Sequence, residues 1–415
     1  MTFGLSRIKP VFYYFLGALF LWYEMAVQSS PSVMATNMMH DIALSSQWFG
    51  LAMGAYFFSY ALMQIPVGLL FDRYRAKNLL MIAVLFCVSG TFLFSFGTNL
   101  WLLALARFFT GFGSAFAFIG VLVIANDWFD RRHFAFLVGL AQLIAAFGAM
   151  VGQMPLAYLV EHFKWQGAAQ CIAISGLVLL LLFMFGLKHP QKKACCDVLA
   201  PWASLKQVLC HKQTWFIALY AFSAWSPIAL FAELWGVPYL IVRSHLHNLQ
   251  AASYSATIWI ALAIASPILG LLSDRLQKRQ SLMLLCCGIG FLGSSLMLYS
   301  HYQAPYFINF CMIAIGVAAS GQILCFALIK AHFPKQNLAV AVGFINMAVV
   351  IGGALFQPLV GYFIHRHHVL MQLAQSMGYL ESDYRFALAI IPLCYLLGFV
   401  LSGFCIKDRF LSALD

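Results

Sequence analysis

The 415 residues are 63% hydrophobic and 16% aromatic but only 9% charged, where a soluble domain carries roughly 25% charged residues. That excludes a water-soluble enzyme and leaves a polytopic membrane protein, because about a dozen helices of roughly 20 residues with short loops would use the whole length. A net charge of +11 would suggest nucleic acid as partner of a soluble chain. Here the basic residues must sit in loops beside the bilayer, so they report topology.

Twelve apolar runs follow one another, over residues 11–33, 48–70, 79–96, 101–125, 134–160, 168–187, 215–242, 252–272, 282–300, 306–329, 338–364 and 387–406. The first is too long and too rich in Trp and Tyr for a removed signal peptide, and reads as the first membrane helix. Of the 24 Lys and Arg, nineteen fall in one set of alternate loops and four in the other, Lys164, Arg243, Arg366 and Arg385. The positive-inside rule therefore places the crowded loops and both termini in the cytosol, in a composition that suits a bacterial inner membrane. The one basic residue left over is Arg107, inside the fourth run.

The longest crowded connection, 188–212, carries five lysines and divides the chain into a six-helix bundle over 1–187 and a second over 213–415. An internal repeat supports the division. Gly68-Leu-Leu-Phe-Asp72-Arg73 returns as Gly270-Leu-Leu-Ser-Asp274-Arg275, 202 residues later, Gly139 matches Gly343, and Pro155 matches Pro358. Two parallel repeats of six helices are a transporter architecture.

The stretch Gly68 to Lys77 resembles the loop signature of the major facilitator superfamily, Gly-x-x-x-Asp-Arg followed by basic residues, with a second copy at Gly270 to Arg279. Arg107-Phe-Phe-Thr-Gly111-Phe-Gly113 is similar to the family's fourth-helix motif. One departure is Arg75, standing where the signature usually has Gly. Ser30 to Met34, Gln64 to Gly68 and Leu234 to Leu240 further resemble the branch that includes the lysosomal dipeptide transporter and its bacterial relatives. The resemblance implies an all-α fold of twelve transmembrane helices in two pseudo-symmetric bundles, rocking about a midplane site lined by helices 1, 4, 7 and 10.

Residue chemistry gives that site its candidates. Glu24, Arg107 and Glu233 are the charges well inside apolar runs, each costing on the order of 2.5 to 3.5 kcal/mol on insertion scales and so requiring partners or water. The family arrangement would let Glu24 and Arg107 face one another, a pair suited to the ammonium and carboxylate of a zwitterion, although a purely structural ion pair uses the same residues. Glu233 reads equally well as a water-facing residue near the outer end of its helix, and either glutamate could exchange protons. Gln28 shares a face with Glu24 at i+4, and Pro31 predicts a bend one turn further on.

Gln142 with Gln153, and Asn346 with Gln357, are each eleven residues apart and related by 204. The spacing predicts that each pair shares a face, lining the cavity or bonding helix to helix. Gly148, Gly152, Gly352 and Gly353 suit close helix packing. Trp235 and Tyr239, at i and i+4 around Pro238, are candidate substrate walls or an outer gate, with Gln322 a further cavity candidate. Asp72, Arg73, Asp274 and Arg275 read as a cytosolic latch that breaks when the inner gate opens; simple anchoring explains Arg75, Lys77, Lys278 and Arg279 as well.

All twelve histidines lie in loops or at helix ends, and His365-Arg366-His367-His368 is read as a loop cluster without carboxylate support, so no metal site is expected. The eleven cysteines lack CxxC spacing and read as apolar filler. No phosphate loop and no HExxH occur, so the expectation is a transporter without cofactor or catalytic residues, in a lipid bilayer and monomeric. The cargo is read as a small organic solute, best a dipeptide or amino acid, carried by symport or uniport. A proton-coupled drug or siderophore exporter would use the same Glu24 with a wider aromatic cavity.

Overall fold

A computed structural model describes residues 5–129, 134–186, 201–333, 335–371 and 378–408, and every regular element among them is helical. The first four crossings are α1 (Lys9–Asp41), α2 (Ser46–Arg73), α3 (Ala76–Ser95) and α4 (Leu100–Trp128). The next helical stretch, Leu137–Gly186, is 50 residues long. At about 1.5 Å per residue that is more than twice the hydrocarbon thickness, so it cannot be one crossing. The backbone turns at Lys164, where φ 59° and ψ 173° interrupt the helix, and the stretch resolves into α5 (residues 134–163) and α6 (residues 165–186). Trp165, next to the turn, donates its indole N–H to Asp41 at the end of α1, 3.0 Å away.

The second set repeats the pattern with α7 (Lys212–Ser244), α8 (Asn248–Leu276), α9 (Arg279–Tyr299), α10 (Pro305–His332), α11 (Lys335–Leu370) and α12 (Glu381–Cys405). The twelve apolar runs correspond one for one to these crossings. A short helix, Pro201–Cys210, precedes α7, while residues 188–200 of the expected linker lie outside the described residues.

Burial sorts the helices. On α6, Ile174, Val178, Leu181 and Phe185 are exposed at helical spacing, the pattern of a lipid-facing surface. On α7, residues 226–240 are buried without interruption, so this helix is surrounded by protein. Six-helix sets meet along two seams, α2 against α11 and α5 against α8. Apolar packing is divided by depth instead of by set. One core cluster, from Tyr13 and Phe71 to Leu282 and Ile406, lies toward the face bearing Arg73, Arg75, Lys77, Arg275 and Lys278, here called the basic face. The other, from Met38 and Trp165 to Ile308 and Tyr384, lies toward the opposite face. Each draws on helices of both sets. Between them lies a level of buried polar residues.

Candidate functional site

Two prolines open this polar level. Pro31 has no N–H to offer the carbonyl four residues earlier, so α1 breaks at Ser30 and Val27 O is released. Two donors take it. The Ser30 hydroxyl bonds Val27 O at 2.8 Å and an Arg107 guanidinium nitrogen approaches it at 3.3 Å. In α7, Pro227 is followed by a π-helical stretch, Ile228–Trp235, a wider turn of the kind found at functional sites. Its carbonyls are held from both sides: Gln153 donates to Ala232 O at 2.7 Å and Gln357 to Ala229 O at 2.8 Å.

Between these breaks sit Glu24 and Gln28 of α1, Tyr56 of α2, Arg107 of α4 and Glu233 of α7, all buried. The Tyr56 hydroxyl donates to Glu24 Oε1 at 2.5 Å and lies 3.3 Å from Gln28 Oε1. Gln28 Nε2 donates to Glu233 Oε1 at 2.8 Å. The Arg107 guanidinium carbon lies 4.4 Å from the Tyr56 ring centroid, a cation–π contact. Among the described residues, Glu233 Oε2 and Arg107 Nε have no hydrogen-bond partner. Glu24 and Arg107 therefore face one another through an aromatic ring. Among the described residues, Arg107 forms no ion pair with either carboxylate.

Gly111 explains why Tyr56 stands there. One turn after Arg107, it lies against the Tyr56 carbonyl and the Ser59 hydroxyl, and any side chain at this position would collide with the α2 backbone. The Arg-to-Gly spacing of the motif thus sets the guanidinium on Tyr56. Beside Arg107, Val27, Ser30, Thr91, Thr110 and Ile172 line a cavity of about 10 Å³, room for about one water.

The family model of the Major Facilitator Superfamily matches residues 14–357. The chain belongs to this superfamily. It is 21% identical over 378 residues to the probable galactarate/D-glucarate transporter GudP of Bacillus subtilis, covering 82% of each chain. It is also 21% identical over 324 residues to the lysosomal dipeptide transporter MFSD1 of Gallus gallus, covering 73% of this chain and 72% of that one. Among solved structures, a bacterial homolog of the human lysosomal transporter Spinster, inward-facing and unoccupied, superposes with a TM-score of 0.78 at 16% identity, over 98% of this chain and 99% of that one. The protein is thus a major facilitator transporter of small organic solutes.

Within this superfamily fold, several expected site residues take other places. Glu233 is 1% exposed and bonded to Gln28, so a water-facing outer position does not apply. Trp235 is buried with its N–H on Gln357 O at 3.3 Å, and Tyr239 is buried with its hydroxyl on Met297 O at 3.1 Å. Both pack the interior, the Trp235 ring beside Gly50 of α2 and Gly361 of α11. Gln322 is buried where α10 breaks between Ser320 and Ile323. The amide pairs differ. α11 is one continuous helix from Lys335 to Leu370, so Asn346 and Gln357 share a face, Asn346 on Gln64 across the seam at 2.6 Å and Gln357 on Ala229 O; α5 is interrupted after Val151, between half-buried Gln142 and Gln153. Gly148 and Gly152 lie against the α1 backbone at Trp22 and Ala26, Gly352 against Ser226, and Gly353 against the Phe57 ring.

At the two faces the contacts differ. On the basic face the side chains of Arg73, Asp274 and Arg275 are exposed and form no ion pair among the described residues; the Asp72 side chain of the expected latch lies outside the described residues. Arg75 needs no glycine-like backbone, with φ −69° at the start of α3. The opposite face is sealed across the α2–α11 seam. Ser46 Oγ donates to Gly361 O at 2.8 Å, and Ser46 N donates to the Tyr379 hydroxyl at 2.9 Å, which lies 3.2 Å from His365. The histidine cluster has carboxylate support after all: His367 and His368 both bond Asp383, at 2.6 and 2.8 Å. That carboxylate lies fifteen or more residues away in sequence and arrives only through the fold.

Sequence reasoning missed Tyr56, Gln64 and Arg243. Arg243 passes for a loop cation, yet it is buried, with its guanidinium on the carbonyls of Met297, Ser300 and Tyr302.

Proposed function

We propose that the protein carries a small zwitterionic solute, a dipeptide or an amino acid, by rocker-switch alternating access, with proton exchange at Glu24 or Glu233. The observation that supports this is the buried group of two glutamates and one arginine around Tyr56 and Gln28. Two carboxylates against one guanidinium suit a solute with an ammonium and a carboxylate. A dianion of the kind named for GudP would meet one cation and two like charges, and Arg243, the other buried cation, is occupied by backbone carbonyls. In this reading Arg107 takes the carboxylate, Glu233 with its unpartnered oxygen takes the ammonium, and Glu24 exchanges the proton.

The basic face is cytosolic in this reading, by the excess of Lys and Arg, and the protein resides in a bacterial inner membrane as a monomer. The exposed Arg73, Asp274 and Arg275 and the bonds across the opposite face support an inward-facing conformation.

The test is uptake of a mixed dipeptide, amino-acid and sugar-acid pool into proteoliposomes, with and without a proton gradient, read by mass spectrometry of the lumen. Gradient-dependent enrichment of peptides or amino acids supports the proposal. Enrichment of sugar acids alone would overturn it.

A further inference from the structure

We infer that Tyr56 is a positioning residue that ties the protonation of Glu24 to the readiness of Arg107 to take an anion. This deepens the reading above and rests on it for the nature of the anion, while the linkage itself rests on contacts within the chain.

Tyr56 reaches three partners at once: Glu24 Oε1 at 2.5 Å, Gln28 Oε1 at 3.3 Å and the Arg107 guanidinium over its ring at 4.4 Å. Its hydroxyl has one proton to donate. With Glu24 ionised, the carboxylate takes that hydrogen bond, because charge-assisted bonds are the stronger ones. The ring is then held under Arg107, whose charge is shared between a π face and the Val27 carbonyl. When Glu24 takes up a proton from water, the carboxyl becomes a donor itself and the Tyr56 hydroxyl turns to its other acceptor. Gln28 is oriented for this, since its Nε2 is committed to Glu233 and its oxygen faces Tyr56. Drawing the hydroxyl in from 3.3 Å to a normal hydrogen bond with Gln28 Oε1 shifts the ring relative to Arg107 and frees the guanidinium for a solute carboxylate. By reciprocity, an anion on Arg107 favours the proton on Glu24 to the same degree. One proton binding to one carboxylate oxygen is the only covalent change.

Other titratable or charged groups act on Glu24 or feel its charge: Tyr60 from α2, Cys87 from α3, Arg107 from α4 and Glu233 from α7. Tyr56 hydrogen-bonds Glu24 and carries Arg107 over its ring. Because Glu233 is a second carboxylate in the same field, the test is made with Glu233 intact and again in a Glu233→Gln background.

The experiment compares the full-length protein with Tyr56→Phe, which keeps the ring packed on Phe57 and Tyr60 and removes only the hydroxyl. In nanodiscs without solute, tryptophan fluorescence, to which Trp22 on α1 contributes, is titrated from pH 5 to 9. The inference expects a step that vanishes in Glu24→Gln and moves by one pH unit or more in Tyr56→Phe. In proteoliposomes, the ratio of amino-acid and dipeptide counterflow at pH 5.5 to that at pH 7.5 falls toward one in both variants. A wild-type titration midpoint in Tyr56→Phe would overturn the inference. Should Tyr56→Phe not fold, Tyr56→Leu with Glu24→Gln as reference decides the same question, because removal of ring and hydroxyl must also displace the step. If the wild type carries no zwitterion, the transport arm is silent and the proposed function falls, while the solute-free titration still decides the role of Tyr56.

Discussion

Arg107 is held by a ring face and one backbone carbonyl, both of which depend on a flat guanidinium. Lysine supplies a point charge without the fork or the stacking plane. Arg107→Lys is therefore expected to raise KM for a carboxylate-bearing solute about tenfold or more, a factor worth about 1.4 kcal/mol, with little change in thermal stability. A wild-type KM in that variant removes Arg107 from recognition. Glu24→Gln is expected to abolish accumulation against a proton gradient while gradient-independent exchange persists; retained accumulation would shift the coupling role to Glu233. These charges were legible in the sequence because an ionisable group in an apolar run stands out by its cost. Tyr56 was not, since a tyrosine in Tyr56-Phe57-Phe58-Ser59-Tyr60 has no contrast with its neighbours, and only the fold sets its hydroxyl on Glu24.

At the scale of elements, α1 and α7 repeat one device, a break beside a proline where side chains from neighbouring helices bond backbone carbonyls. Pro31 announced the first break. The π-helical stretch in α7 had no advance signal, because its carbonyls are claimed by Gln153 and Gln357, residues 79 and 128 positions away. The amide spacing holds only where the helix does: eleven residues mean one face in α11, which is continuous, while α5 is interrupted between Gln142 and Gln153. Helix contact is where small residues matter most. Gly148 lies against the backbone of Trp22, which cannot yield, whereas nothing lies within 4 Å of a Cβ added at Gly139. Gly148→Val should cost about 1–3 kcal/mol through overpacking, seen as a lowered Tm in detergent, with Gly139→Ala neutral as its control. Equal Tm values would show that α5 can slide off α1 without penalty.

For the whole molecule, the contacts across the face opposite the basic one are drawn from both six-helix sets. The Tyr379 hydroxyl joins the start of α2 to the end of α11 through Ser46 and His365. Tyr379→Phe should loosen that seal, so that a cysteine placed at buried Val33 in a cysteine-free background reacts faster with an impermeant maleimide added from that side. An unchanged rate would mean that the Ser46–Gly361 bond holds the seal alone. The crossings and their pseudo-symmetric order were legible because hydrophobic length and the Gly-x-x-x-Asp-Arg repeat are local in sequence. The seal was not, since the bonds of Ser46 that close it join residues more than three hundred positions apart.

The layering of the apolar interior carries a consequence for biogenesis. Because each core cluster takes side chains from both six-helix sets, neither set made alone could bury its own share. Expressed as two polypeptides divided within residues 188–200, each fragment should be degraded by itself, and the two together should reconstitute a stable, active pair. Reconstitution from two halves that each fail alone would show that the sequence repeat does not mark two independently folding units.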